Sequence, residues 1–196
     1  MSVKRDCQTC GCNGCILSER KDYIDVRDET LKINAKYVPN EKIKILFVAE
    51  SPTISFLRDK NRYFYAPGQI RYGGLFYQMM YVLFEEEMKE CSKFTKEHFL
   101  DRFKMEKGFY LIDMVKCPIN KLLRKEKRKA IESCSKYLNK ELNSLSFQKV
   151  IFIGKSSFKE VKAYLDLNFN YVVIPLPFGP NNKNVQNFRK ELSSLI

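Results

Sequence analysis

No stretch of this 196-residue chain approaches the ~18 uninterrupted apolar residues of a membrane span, which excludes a helical integral membrane protein. The first residues, Met1 to Cys7, contain no apolar h-region, so a cytoplasmic, intracellular protein is expected. Internal repeats and linker-like stretches are absent. The reading is therefore one domain over 1–196, with 1–20 a cysteine-rich metal-binding segment. Histidine is nearly missing: the single one, His98, falls in a predicted surface helix and reads as an ordinary helix residue. Acid is short relative to base, with 23 Asp and Glu against 35 Lys and Arg, a formal charge of +12. Such a surface favours polyanionic partners, although an evenly solvated Lys/Glu surface is the plainer alternative. Against these absences, 44% hydrophobic and 13% aromatic residues exclude a wholly disordered chain. A chain of this length buries roughly 70% of its unfolded surface and needs no staples to fold.

The bases are unevenly placed. Lys121, Arg124, Lys125, Lys127, Arg128 and Lys129 share one short stretch with a single acid, Glu126. That density suits phosphate contacts. Seven cysteines are also uneven: Cys7, Cys10, Cys12 and Cys15 are spaced C-x2-C-x-C-x2-C, and Cys91, Cys117 and Cys134 stand apart. In a reducing compartment, clustered thiols point to metal rather than to disulfides. One C-x2-C supplies two thiolates, so a complete site needs two more ligands. The first four cysteines could close a zinc knuckle. Alternatively, one pair could join distant cysteines around an iron–sulfur cluster.

Apolar runs at Lys42–Ala49, Gly108–Val115, Lys149–Gly154 and Tyr171–Leu176 read as buried strands. Helical periodicity appears at Ile70–Met88, Thr95–Phe103, Lys127–Leu142, Ser156–Leu165 and Asn184–Leu195. Residues 21–41 are polar and mixed. Strands alternating with helices imply a three-layer α/β/α sandwich around a central, mainly parallel four-stranded sheet. Sites in such folds lie beyond the carboxyl ends of the strands, which gathers Glu50, Asp113, Gly154 and the 175–182 turn around one crevice.

That set of strand ends resembles the uracil-DNA glycosylase superfamily, and is closest to its iron–sulfur members, the family 4 type. The resemblance runs from about Cys12 to the C-terminus. Ile45-Leu-Phe-Val-Ala-Glu-Ser-Pro52 is similar to the first motif, an apolar strand ending in Gly-Glu-Ala-Pro. Tyr110-Leu-Ile-Asp-Met-Val-Lys-Cys-Pro118 resembles the Tyr-x-x-Asn-Val-Val-Lys-Cys-x-Pro strand. Val150-Ile-Phe-Ile-Gly154 matches an apolar strand ending in Gly. Leu176-Pro-Phe-Gly-Pro-Asn181, followed by Phe188-Arg189, resembles the second motif, His-Pro-Ser-Pro with a downstream helix. Cys12-Asn-Gly-Cys15-Ile-Leu has the family's C-x2-C-x-Leu form, and Cys117 and Cys134 have 16 residues between them.

The resemblance implies a 4Fe-4S cluster held by Cys12, Cys15, Cys117 and Cys134, with Cys7 and Cys10 as a substitute first pair and zinc as the alternative metal. Cys91 fits neither scheme and reads as a core thiol. It also implies a DNA glycosylase that flips a damaged or deaminated base from the helix and hydrolyses its N-glycosidic bond. The bond breaks through an oxocarbenium-like state, which a carboxylate can stabilise or supply with water; Glu50 is the candidate. Phe64 or Tyr65 would stack on the base, or else both pack on the sheet. Asp113 would read the base in place of the family's Asn. Ionised, it only accepts hydrogen bonds; protonated through burial, it would also donate. Phe178 or Gly179 stands where the family has its His, and Ala49 where it has a Gly. Phe178 is a candidate wedge, and Asn181, Asn182 and Lys183, with Lys121, Arg124 and Lys125, are candidate DNA contacts. DNA is the expected partner and a monomer the expected form. Two other readings remain: a catalytically diverged nucleic-acid-binding protein of the same fold, and a zinc-knuckle protein using Cys7, Cys10, Cys12 and Cys15.

Overall fold

The computed structural model describes residues 17, 20–39, 42–178 and 182–196. In chain order the helices and strands are α1 (Lys21–Asn34), β1 (Ile43–Ala49), α2 (Leu75–Leu83), α3 (Glu85–Lys89), α4 (Lys96–Met105), β2 (Phe109–Asp113), α5 (Arg124–Ser144), β3 (Phe147–Ile153), α6 (Lys155–Val161), β4 (Tyr171–Ile174) and α7 (Asn182–Ser193).

The strands form one sheet in the order β2-β1-β3-β4, parallel at every pairing. β1 is central. Its Leu46, Phe47 and Val48 are fully buried, as a strand covered on both faces requires, and this is why the sequence there is continuously apolar. The chain leaves β1 toward one edge and returns past it to build the other. Parallel crossovers are right-handed, so the α2–α4 connection and the α5 and α6 connections fall on opposite faces. The contacts agree: α4 packs on β2, α2 on α7, and α6 on β3, β4 and α5. The sheet is thus all parallel, flanked by helices on both sides, as the apolar runs predict.

Two elements differ from the sequence reading. The helix expected over Ile70–Met88 is two. Gly73 and Gly74 delay its start, and Phe84 breaks it at φ −143°, ψ 50°. Glu85, Glu86 and Glu87 then form the first turn of α3, where a helix N-terminus favours acid. The second is α1, within a stretch read as mixed polar chain. Its inner face is Tyr23, Val26, Arg27, Thr30 and Asn34, a helical spacing in which three of the five residues are polar.

Candidate active site

β1 and β2 end side by side, with Ala49 opposite Asp113. The pairing continues past the strands: the Met114 amide donates to the Ala49 carbonyl at 2.7 Å and the Val115 amide to the Glu50 carbonyl at 3.0 Å. Glu50 and Asp113 are thereby fixed beside each other, at the point where the chain turns from one edge of the sheet to the other. Ligands bind at such a point in open parallel sheets. A cavity of about 460 Å³ opens there, lined by both acids and by Phe64, Lys96, Leu176 and Phe178, among others. Its size suits a small organic ligand.

The Glu50 carboxylate is held through Oε1, which accepts from Lys127 Nζ at 2.5 Å and from Ser157 Oγ at 2.8 Å. Lys127 comes from α5 and Ser157 from α6, so two helices aim one carboxylate. Gly154 makes this possible. It joins β3 to α6 at φ +113°, and a Cβ there would lie 3.2 Å from Leu176 Cγ. The strand-ending glycine thus underlies the cavity rather than lining it.

Asp113 is 5% exposed. Burial pushes its carboxyl up to about 7, against the opposing pull of Lys116 and a hydrogen bond from Tyr63. The geometry supports a neutral acid. The Tyr63 hydroxyl lies 2.6 Å from Asn34 Oδ1 and 3.2 Å from Asp113 Oδ2. One hydroxyl proton serves both acceptors and the shorter contact takes most of it, so Tyr63 is a weak donor to Asp113 and stabilises its charged form poorly. Burial and the neighbouring Asp113 hold the Tyr63 phenol well above its usual range, so it stays protonated.

The two aromatic candidates separate. Phe64 lines the cavity, edge-on to Phe76 and Phe103 at centroid distances of 5.4 and 5.5 Å. Tyr65 is fully buried and does not line it. Its ring stacks on Tyr37 at 4.8 Å and its hydroxyl accepts from the Leu111 amide at 2.7 Å. That placement is the sheet-packing alternative.

Lys121, Arg124 and Lys125 are exposed around the start of α5, as are Arg128 and Lys129. Lys127 of the same run turns inward to Glu50. Phe178 is 47% exposed at the cavity edge, and Asn182 and Lys183 are exposed in the first turn of α7. Asn181 and Gly179 lie outside the described residues. His98 sits in α4 against Phe94 and Glu87, away from the cavity.

Of the candidate metal ligands, Cys117 and Cys134 are buried, in the β2–α5 connection and in α5. Cys7, Cys10, Cys12 and Cys15 lie outside the described residues. Among the described residues no three metal-ligating side chains cluster. The chain just after the N-terminal cysteines is anchored, however. Leu17 is 1% exposed within the core, and Arg20 pairs with Glu126 of α5 at 2.9 Å. Two buried thiols, close to a chain anchored at Leu17 and Arg20, are the described part of the expected four-thiolate ligand set.

Sequence reasoning missed Tyr63, Asn34, Lys96, Ser157 and the inward turn of Lys127. One signal was available for Lys96: a lysine in the first turn of a helix opposes the helix dipole. None of the helices among the described residues is long and apolar enough to cross a membrane. No curated protein matches the chain. A family model, Uracil DNA glycosylase superfamily, matches residues 35–193, the span holding the sheet, the cavity and both acids. The chain belongs to the uracil DNA glycosylase superfamily.

Proposed function

We propose that this chain is a monofunctional DNA glycosylase of the iron–sulfur, family 4 type with a diverged base-reading site. The observation that carries the reading is the pairing of Glu50 and Asp113 on adjacent strand ends of a cavity walled by Phe64. Duplex DNA would lie along the exposed bases of α5 and the start of α7, with Phe178 filling the gap left by the everted nucleotide. Phe64 would pack against the flipped base. Asp113, neutral below about pH 7, then presents one donor and one acceptor as an amide does, and so can face a base that offers both. Glu50, its orientation set by Lys127 and Ser157, would hold the attacking water and stabilise positive charge on the sugar.

Cys12, Cys15, Cys117 and Cys134 would hold the cluster, which supplies a cross-link between the N-terminal segment and the α5 region rather than redox chemistry. A brown protein that loses its colour in Cys117→Ala supports this ligand set. Full metal content retained in that variant rules it out, and bound zinc favours the knuckle of Cys7, Cys10, Cys12 and Cys15.

A second reading, a nucleic-acid-binding protein without catalysis, is favoured by one observation: among the described residues, no histidine lines the cavity. An excision assay on duplexes carrying uracil, hypoxanthine, xanthine or an alkylated base decides. Release of any of these bases establishes the enzyme; tight binding without release from the whole panel establishes the binder.

A further inference from the structure

Lys96 is the most deeply enclosed cation bordering the cavity. It is 1% exposed, its ammonium donates to the Tyr63 carbonyl, and Nζ lies 4.9 Å from the Phe76 ring centre. Among the described residues no carboxylate comes within ion-pair distance of it. It also occupies the first position of α4, where the helix dipole disfavours positive charge. Burying an ammonium without a carboxylate partner at such a site is destabilising, and one carbonyl and one aromatic ring offset that cost only in part. Tyr63 links Lys96 to Asp113, its carbonyl accepting from the ammonium and its hydroxyl meeting Asp113 Oδ2 at 3.2 Å, and all three residues line the cavity with Phe64.

Rupture of an N-glycosidic bond leaves its electron pair on the base. The resulting negative charge spreads over the ring nitrogens and carbonyl oxygens and must be stabilised in a water-poor cavity. Resting on the glycosylase reading, we propose that Lys96 is a catalytic residue that donates a hydrogen bond to the departing base and holds its negative charge, selecting bases whose inner edge carries a carbonyl oxygen. The C1′–N bond breaks with its pair going to the base. Water adds to C1′ and gives its proton to Glu50, which returns it to solvent, and the base anion takes a proton from solvent on release. The net change is addition of water, with no oxidant or metal required.

Desolvation lowers the Lys96 ammonium to about 8, while Glu97 and Asp59 pull it up. Arg62, Arg71, Asp113, Glu50, Tyr63 and Tyr72 are the other titratable or charged groups facing the cavity. The cation is therefore lost as pH rises through about 8.

The test compares wild type, Lys96→Gln and Lys96→Arg in single-turnover release of uracil and 5-fluorouracil from duplex DNA. Fluorine stabilises the departing anion and lessens the need for a cation. Lys96→Gln is expected to slow uracil release about 100-fold or more, with a several-fold smaller loss for 5-fluorouracil. Lys96→Arg should recover part of the rate and carry it to higher pH than the wild-type fall near pH 8. Equal losses on both bases overturn the proposal, because damage to structure alone does not sense the leaving group. If neither base is released, binding of barbiturate, a pyrimidine-sized anion, to protein saturated with an abasic-analogue duplex decides. Binding lost in Lys96→Gln keeps the cation assignment while the glycosylase reading fails; unchanged or absent binding overturns both.

Discussion

At the tip of β1, the Glu50 carboxylate is half-shielded between Lys127 and Ser157. Replacing it by glutamine keeps the shape and the Ser157 contact but removes the negative charge. Glu50→Gln is expected to reduce single-turnover excision by about 10² to 10⁴-fold with little change in DNA affinity; an unchanged rate removes Glu50 from the chemistry. Asp113 gives a pH signature. Its folded value of about 7 lies above the ordinary 3.8, so between these the folded chain keeps a proton that the unfolded chain has released. Its contribution to stability is thus full below pH 4 and is lost as pH rises through 7. Asp113→Asn removes the titration. The variant should melt like wild type near pH 4 and gain progressively up to pH 7, by about 1.4 kcal/mol for each pH unit crossed, then hold its advantage. Thermal melts across pH check the sign; an advantage at low pH only would contradict a neutral buried Asp113.

At the scale of elements, Gly154 couples the sheet to the site. Its positive φ strains any L side chain, and a methyl group there would push the Leu176 side chain, 3.2 Å away, aside by a few tenths of an ångström. Gly154→Ala should destabilise the fold by about 1–3 kcal/mol, and should slow excision by displacing Ser157 from Glu50. Chemical denaturation and single-turnover rates measure the two effects. The four strands were legible because each is a continuous apolar run, and Glu50 and Asp113 were legible because each directly follows or ends such a run. α1 was not, since its buried face carries Arg27, Thr30 and Asn34, whose polarity masks the apolar periodicity, and the long-range partner of Asn34, Tyr63, is met only once the chain closes. Tyr63 and Lys96 were hidden for a related reason. Their positions depend on how the long β1–β2 connection and α4 close over the sheet, which no local spacing records. Tyr65 read the same as Phe64 in sequence; only closure decides which ring meets the cavity and which packs behind it.

For the whole molecule, the charge of +12 matters through its distribution. Lys121, Arg124 and Lys125 project from one end of α5, and none has an acidic partner among the described residues. Replacing all three by alanine should weaken duplex binding uniformly across sequences and reduce the salt slope by about 3, while the rate of bound-state excision holds. A slope unchanged from wild type places the DNA on another face.

The backbone link between Ala49–Glu50 and Met114–Val115 has a final consequence. The carboxylate proposed for hydrolysis and the proposed base reader ride on neighbouring strand ends one rung apart, Asp113 lying opposite Ala49 and Glu50 following it. A change of lesion preference then needs only a new side chain at position 113, while position 50 keeps its aim. On the glycosylase reading, retuning which base is removed is in that sense separable from keeping the ability to remove one.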